Sequence, residues 1–163
     1  MGRHVLFVCT GNLCRSPLAE GILRKLLADR GINSIKVSSA GTFALTGWPA
    51  AELALEVAFH HKVDISSHRS RPISRELLDA ADLVIGMERD HIIESNVVVK
   101  DGCGKYCLLS DFGPAHSRGR EIEDPYGAPF DYFVSAYREI ERHVEALLDH
   151  LVEHWGLNMP TDR

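Results

Sequence analysis

A cysteine and an arginine six residues apart, Cys9 and Arg15, are the residues of this chain whose types and spacing are best suited to chemistry. They enclose a short loop that contains Gly11 and lie between an apolar run and Pro17. Such a loop aims backbone N–H groups, a helix N-terminus and a guanidinium at one point beside a sulfur, and an oxyanion such as phosphate fits there. A thiol at that point is expected to be held as thiolate, which is a nucleophile for phosphorus.

Each residue of this loop has a role in that interpretation. The planar fork of Arg15 matches two oxygens of a phosphoryl group. Gly11 lets the loop turn and brings backbone amides close to the anion. Asn12 tolerates left-handed backbone geometry and can brace the loop through its side chain. Ser16 can cap the following helix, and its hydroxyl can donate to the sulfur of Cys9. The alternative is a structural cysteine beside a chance arginine, which the glycine and the Ser-Pro helix start disfavour.

The surrounding elements must position this loop, and apolar runs alternate along the chain with stretches of helical period. The predicted strands span 5–9, 35–39, 81–87 and 106–109. One helix is predicted to start at Pro17 after Ser16 and to close at Gly31, and others span 50–62, 74–80, 89–94 and 130–155. This alternation predicts an α/β domain with a four-stranded parallel sheet and helices on both faces. Ligands of such sheets bind beyond the carboxyl ends of the strands, where Cys9 lies.

Composition narrows the class of protein further. The 163 residues are enough for one domain, predicted over 1–155 and followed by a C-terminal tail over 156–163. A net charge of -5 argues against broad nucleic-acid binding. There is no apolar run of membrane-spanning length and no signal-peptide pattern, so we expect a cytoplasmic protein without membrane insertion. Four cysteines in such a chain are expected to be thiols.

Residues 8–17, Val-Cys-Thr-Gly-Asn-Leu-Cys-Arg-Ser-Pro, resemble the signature of the low-molecular-weight protein tyrosine phosphatases. The resemblance covers nearly the whole chain, because Ser39-Ala40-Gly41, the 81–87 strand and Asp124-Pro125-Tyr126 follow in the family's order. It implies the phosphotyrosine phosphatase I-like fold and hydrolysis of phosphotyrosine through a phosphocysteine intermediate, with neither metal nor cofactor. In that mechanism Cys9 is the nucleophile and Arg15 the phosphate clamp.

The resemblance also assigns the general acid. A carboxylic acid opposite the nucleophile would protonate the leaving oxygen. From the residues alone, Asp124 is equally well interpreted as this acid or as a surface Asp-Pro turn. The family's pattern selects the acid, and the same carboxyl group would then activate water in the second step.

The resemblance assigns further residues to substrate binding, with two aromatic walls around the phenyl ring. The predicted substrate-binding residues are Thr10, Gly11, Asn12, Leu13, Cys14, Ser16, Trp48 and Tyr126. Trp48 alone is equally consistent with an aromatic residue that covers the core. Gly127 stands where many members carry a second aromatic residue, which predicts a more open pocket. The apolar Leu13 resembles the tyrosine-phosphate branch, since the arginine-phosphate branch typically has threonine there.

Supporting positions follow in the same way. Ser39 and His68 correspond to residues that hydrogen-bond the loop asparagine. Cys14 is either the partner of Cys9 in a protective disulfide or a small apolar filler of the loop. Cys103 and Cys107 are not expected to bind zinc, because Cys9 cannot serve a metal and also attack phosphorus. The remaining histidines are expected at the surface, especially His143, His150 and His154.

Three other classes share parts of this pattern: arsenate reductases, protein arginine phosphatases and phosphoryl-carrier domains. A reductase would relay electrons through further cysteines, for which Cys103 or Cys107 would be the candidates, whereas a carrier would not need Asp124. The expected partner is a phosphotyrosine protein, with a bacterial-type tyrosine kinase among the candidates. We expect the protein to be a monomer.

Overall fold

The computed structural model describes residues 2–157, whose regular elements alternate as the sequence pattern predicts. The strands are β1 (Arg3–Cys9), β2 (Ile35–Gly41), β3 (Leu83–Gly86) and β4 (Tyr106–Leu108). The helices are α1 (Arg15–Asp29), α2 (Glu52–His60), α3 (Arg75–Ala80), α4 (Arg89–Val98) and α5 (Phe130–His154). Two 3-10 turns, Leu109–Phe112 and Ala115–Ser117, lie in the long segment between β4 and α5.

The four strands form one parallel sheet in the order β2-β1-β3-β4. Side chains of a strand alternate between the two faces, and β1 uses both. Val5, Phe7 and Cys9 belong to the core beneath α1, α2 and α5. Leu6 and Val8 belong to a second apolar cluster with residues of α3. The predicted single α/β domain with a parallel sheet is therefore confirmed, and Cys9 faces the side of α1.

The first helix begins earlier than predicted, and Ser16 is not its N-cap. The helix starts at Arg15, and Cys14 is the capping position without a side-chain cap bond. The hydroxyl of Ser16 is unavailable for capping because it bonds Cys9 and Asn12 instead. Pro17 is tolerated as the third helical residue, since N–H groups of the first turn have no partner within a helix.

Other boundaries differ by a few residues. The second strand continues to Gly41, and α4 continues to Val98 rather than ending near residue 94. The predicted cap of α3 is confirmed, because the hydroxyl of Ser74 accepts from the N–H of Leu77 at 3.2 Å.

Three histidines, His4, His91 and His143, are buried and contradict the expected surface positions. His143 is buried beneath the 3-10 turns, and its Nδ1 donates to the carbonyl of Glu139 at 2.7 Å. His91 is completely buried at the start of α4. His150 and His154 are exposed, as predicted. A periodic helix pattern does not reveal which residues a neighbouring loop will cover, and this explains the error at His143.

The ends of the chain bear on several predictions. The predicted tail lies, from residue 158 onward, outside the described residues. Within residues 2–157, no helix combines the length and the apolar character that crossing a membrane requires. The domain boundary, the cytoplasmic location and the monomeric state stay predictions.

Gly41, the last residue of β2, lets this strand approach the loop that follows β1. A Cβ added at Gly41 would lie 2.4 Å from the carbonyl oxygen of Thr10 and 2.8 Å from the Cβ of Ala44. Backbone atoms cannot move aside as the end of a flexible side chain can. The contact between β2 and the Cys9–Arg15 loop therefore requires glycine at this position.

We expect Gly41→Ala to lower the free energy of unfolding by about 1–3 kcal/mol, the usual cost of overpacking. Urea unfolding followed by circular dichroism measures this change. Gly102→Ala is the matched control, because a Cβ there meets nothing within 4 Å and should change stability by less than about 0.5 kcal/mol. Equal effects of the two substitutions would show that the close approach is not a constraint.

Candidate active site

The Cys9–Arg15 loop connects the carboxyl end of β1 to the first turn of α1. Its outer carbonyls are occupied, because those of Cys9, Thr10 and Leu13 each accept at 2.9 Å from backbone N–H groups of the 42–51 segment. Within residues 2–157, no hydrogen bond uses the backbone N–H groups of residues 11–14. These donors, together with the N-terminus of α1, are the groups that bind an oxyanion.

Asn12 holds the loop in shape from its centre. Its φ of 55° is the left-handed conformation, and the residue is completely buried. Its side-chain amide donates to the hydroxyls of Ser16 at 2.8 Å and Ser39 at 2.9 Å. Its side-chain oxygen accepts from the N–H of Arg71, and its carbonyl bonds His68 Nε2 at 2.7 Å. The structure thus brings the predicted supporting residues Ser39 and His68 to Asn12.

A further layer of polar residues supports this brace. The hydroxyl of Ser39 donates to Glu20 at 3.0 Å, and Glu20 forms an ion pair with Arg24 at 2.9 Å. Nδ1 of His68 lies 3.7 Å from the same carboxylate. Sequence reasoning missed Glu20, because an acidic residue one turn before an arginine on a helix is typical of a solvated i,i+4 pair.

The sulfur of Cys9 lies 2.9 Å from the hydroxyl oxygen of Ser16. Because this oxygen already accepts from Asn12, the hydroxyl hydrogen is free to point at the sulfur. The predicted donor role of Ser16 toward Cys9 has the geometry that it needs, whereas its capping role does not.

Arg15 is buried, with 1% of its surface exposed, and is held by oxygen acceptors. Nη1 donates to the carbonyl of Ile122 at 2.7 Å and pairs with Glu88 at 3.0 Å. Nη2 lies 3.5 Å from both Asp124 Oδ2 and Thr10 Oγ1. Nε is buried and has no hydrogen-bond partner among residues 2–157. A phosphoryl oxygen beside the loop would supply the missing acceptor, so this guanidinium fits the predicted clamp.

Asp124 reaches the same place from the segment before α5. Its Oδ1 accepts from the N–H of Tyr126 at 3.1 Å, which fixes the carboxyl group and leaves Oδ2 on the side of Arg15. The side chain is 44% exposed, so protons can exchange with solvent. The structure therefore places this carboxyl group in the same cleft as Cys9, although 115 positions separate the two residues in the chain.

These groups meet in a cleft of about 470 Å³. Trp48 and Tyr126, the predicted aromatic walls, line it with 56% and 64% of their surfaces exposed. Trp48 is thus a wall of the cleft and not a cover of the core. Phe43 and Leu45 also line the cleft, and both are highly exposed. Sequence reasoning missed these two, although large apolar residues in a turn-prone segment were an available signal.

Gly11 lines the cleft at the start of the turn. The left-handed residue of the loop is Asn12, and Gly11 does not have a φ in that region. A Cβ at Gly11 would meet only the side chain of Leu13, at 3.8 Å. A side chain at this position would instead occupy the cleft, so the glycine keeps space open for a ligand.

The other three cysteines have different surroundings from one another. Burial, with the charge of Asp124 as a further cause, raises the pKa of Cys14 to about 12, and this thiol stays protonated at neutral pH. Cys14 lines the cleft, and all four cysteines are free thiols. Burial likewise raises the pKa of Cys107 to about 12, whereas Cys103 is exposed. Neither Cys103 nor Cys107 lines the cleft, and this arrangement disfavours a reductase relay. The Cys9–Cys14 disulfide stays a prediction.

A buried cysteine and a buried arginine that flank a loop of unpaired N–H groups at the end of a parallel strand are typical of enzymes that act on phosphate esters through cysteine. The family model of the low molecular weight phosphotyrosine protein phosphatases matches residues 4–155 of this chain. The chain therefore belongs to this family.

Known proteins are similar to this chain over most of their length. The low molecular weight protein-tyrosine-phosphatase Etp of Escherichia coli is 36% identical over 138 residues, which cover 85% of this chain and 87% of that protein. The solved structure of a low molecular weight protein tyrosine phosphatase from T. tengcongensis is 35% identical in sequence, with a TM-score of 0.84. The match covers 92% of this chain and all of that one. The structure of the YwlE arginine phosphatase from Geobacillus stearothermophilus is 29% identical in sequence, with a TM-score of 0.81. The match covers 93% of this chain and 97% of that one.

We expect Asn12→Ala to lower the free energy of unfolding by about 2–4 kcal/mol, because buried partners lose their hydrogen bonds and a Cβ without compensating bonds is strained in the left-handed region. Asn12→Gly removes the same bonds without that strain and should cost about 1 kcal/mol less. Urea unfolding measures both values.

The matched control is Asn96→Ala, since Asn96 is exposed and its side chain accepts one backbone hydrogen bond, from Asp101. This change should cost no more than about 1 kcal/mol. Wild-type stability of Asn12→Gly would contradict the view that the side-chain bonds of Asn12 hold the loop.

Proposed function

We propose that this protein is a protein-tyrosine phosphatase that hydrolyses phosphotyrosine through a phosphocysteine intermediate. The observation that carries the proposal is the position of Cys9, with its sulfur 2.9 Å from the hydroxyl of Ser16, in one cleft with Arg15 and Asp124. A nucleophile, a cation and an acid around one cleft are the groups that phosphoryl transfer through cysteine needs.

In the first step, the thiolate of Cys9 attacks the phosphorus of the bound ester. The S–P bond forms as the P–O bond to the aryl group breaks, and the carboxyl group of Asp124 gives its proton to the departing oxygen. Arg15 and the free N–H groups of residues 11–14 hold the equatorial oxygens, whose charge is the main demand of phosphoryl transfer.

In the second step, water attacks the phosphocysteine on the same side as the departed alcohol. The carboxylate of Asp124 takes a proton from this water, the S–P bond breaks, and inorganic phosphate leaves. The hydroxyl of Ser16 stabilises the returning thiolate, because its hydrogen is directed at the sulfur by the bond that its oxygen accepts from Asn12. Both steps are complete without a metal ion or a cofactor.

The walls of the cleft support an aryl phosphate as substrate. Trp48 and Tyr126 provide aromatic surfaces, and Phe43 and Leu45 extend the apolar rim. Aromatic rings pack favourably against a phenyl ring in offset or edge-to-face geometry. The apolar side chain of Leu13 also lines the cleft. Because a solved arginine phosphatase is similar in structure, phosphoarginine is the second candidate substrate.

Phosphate release from a phosphotyrosine peptide and from a phosphoarginine peptide of the same sequence tests this proposal. We expect kcat/KM for the phosphotyrosine peptide to be at least about 10-fold higher, because one apolar contact in a pocket typically discriminates by that factor. Cys9→Ser should abolish release, whereas Cys103→Ser, at an exposed thiol outside the cleft, should leave it unchanged. Preference for phosphoarginine would reject the proposed substrate, and activity of Cys9→Ser would reject the mechanism.

Asp124→Asn tests the general acid. General acid–base catalysis contributes about 10²–10⁴-fold, and its loss should be largest for a poor leaving group. We therefore expect kcat/KM, which reports the first step, to fall within that range for phenyl phosphate and to fall less for para-nitrophenyl phosphate. Glu123→Gln is the matched control, since Glu123 is exposed and does not line the cleft. An equal loss for both substrates would contradict proton donation by Asp124.

A further inference from the structure

A buried histidine outside the predicted set touches the Cys9–Arg15 loop. His91 lies in the first turn of α4, is completely buried, and places Nε2 2.9 Å from the hydroxyl oxygen of Thr10. The same nitrogen lies 3.4 Å from Glu88 Oε2, which also pairs with Arg15. The four side chains of Thr10, Arg15, Glu88 and His91 thus form a closed ring of polar contacts beside the cleft.

The hydrogen bonds of His91 fix which ring nitrogen carries the hydrogen. Nδ1 accepts from the backbone N–H groups of Met87 at 3.2 Å and Glu88 at 3.0 Å, so it cannot carry one. Burial, with the charge of Arg15 as a second cause, lowers the pKa of His91 to about 4, and the ring is neutral near pH 7. A neutral imidazole with an accepting Nδ1 has its hydrogen on Nε2. His91 is therefore a donor toward Thr10.

This donor decides what the hydroxyl of Thr10 can do. A hydroxyl group has one hydrogen and two acceptor positions. His91 Nε2 fills one acceptor position at 2.9 Å, and Arg15 Nη2, at 3.5 Å, faces the other. Both neighbours are donors, so the hydrogen of Thr10 must point elsewhere. Thr10 lines the cleft next to Cys9, where a phosphoryl oxygen would be the acceptor.

We propose that His91 is a positioning residue that orients the hydroxyl of Thr10 as a hydrogen-bond donor to the phosphoryl group in the cleft. This inference rests on the proposed function and adds a binding group to it. Without the imidazole, the hydroxyl would rotate toward Glu88, the acceptor that already faces His91 and Arg15. Thr10 contacts the phosphoryl group directly, and His91 acts only through Thr10.

A double-mutant cycle with Thr10→Val and His91→Leu tests the coupling. Each single change should lower kcat/KM for the phosphotyrosine peptide about 10-fold, as expected for one lost hydrogen bond to a charged group. The double variant should be no worse than either single variant. Thr10→Ser, which keeps the hydroxyl, and His91→Gln, whose amide provides a donor near the position of Nε2, should each stay within about threefold of wild type.

Dissociation constants for orthovanadate and inorganic phosphate, measured by calorimetry in the same variants, give a readout that does not require turnover. We expect these dissociation constants to rise in the same variants, and by similar factors, as kcat/KM falls. Ser95→Ala is the control for a disturbed α4, because the only hydrogen bond of the buried Ser95 hydroxyl within residues 2–157 is to the carbonyl of His91, at 2.7 Å. It should lower the unfolding midpoint without changing kcat/KM or vanadate affinity.

If the two losses of kcat/KM multiply to about 100-fold in the double variant, His91 does not act through Thr10 and the inference is overturned. Unchanged kcat/KM and vanadate affinity in Thr10→Val would overturn it as well. If the variants show the expected coupling in vanadate affinity but the wild-type protein hydrolyses no phosphotyrosine, the proposed substrate is contradicted instead. The two failures are therefore distinguishable.

Discussion

The left-handed conformation of Asn12 is the constraint on which the site depends. An L-residue with a side chain is strained there, and four hydrogen bonds, three from its side chain and one at its carbonyl, hold it in place. The turn at Asn12 lets the loop leave β1, keep the N–H groups of residues 11–14 without a partner among residues 2–157, and enter α1 at Arg15. The same side chain orients the hydroxyl of Ser16 toward the sulfur of Cys9. Asn12 therefore fixes both the shape of the loop and the hydrogen bond to the sulfur.

Arg15 is the second constraint, because a buried guanidinium is costly unless it is paired. Its contacts in the described part of the chain differ from one nitrogen to the next. Nη1 is held by Ile122 and Glu88, whereas Nη2 has only long contacts and Nε has no hydrogen-bond partner there. The firm contacts fix the plane of the group. The weakly used nitrogens remain for an anion, which explains how a residue with 1% exposure can be both rigid and available.

Much of the fold and half of the site could be predicted because their causes are local. The apolar run before Cys9, the spacing to Arg15 and the helical period of 130–155 each reflect contacts within one element, and the parallel sheet followed from their alternation. The errors arose where a local pattern has two physical outcomes. Ser16 looks like a cap in sequence, but its hydroxyl is engaged by Cys9 and Asn12. His143 looks like a surface residue, but a distant loop covers it.

The sequence by itself predicted the proposed nucleophile, its loop and the succession of strands and helices along the chain, because these depend on neighbours within a few positions. Only the tertiary structure decided what surrounds them. Glu88 and His91 reach the loop because β3 pairs beside β1 and ends at the same edge of the sheet. Phe43 and Leu45 reach the cleft because Gly41 lets the end of β2 press against Thr10. Such contacts join residues about 30–80 positions apart. The helix and strand periods of the sequence do not predict them, since they depend on which strands lie side by side.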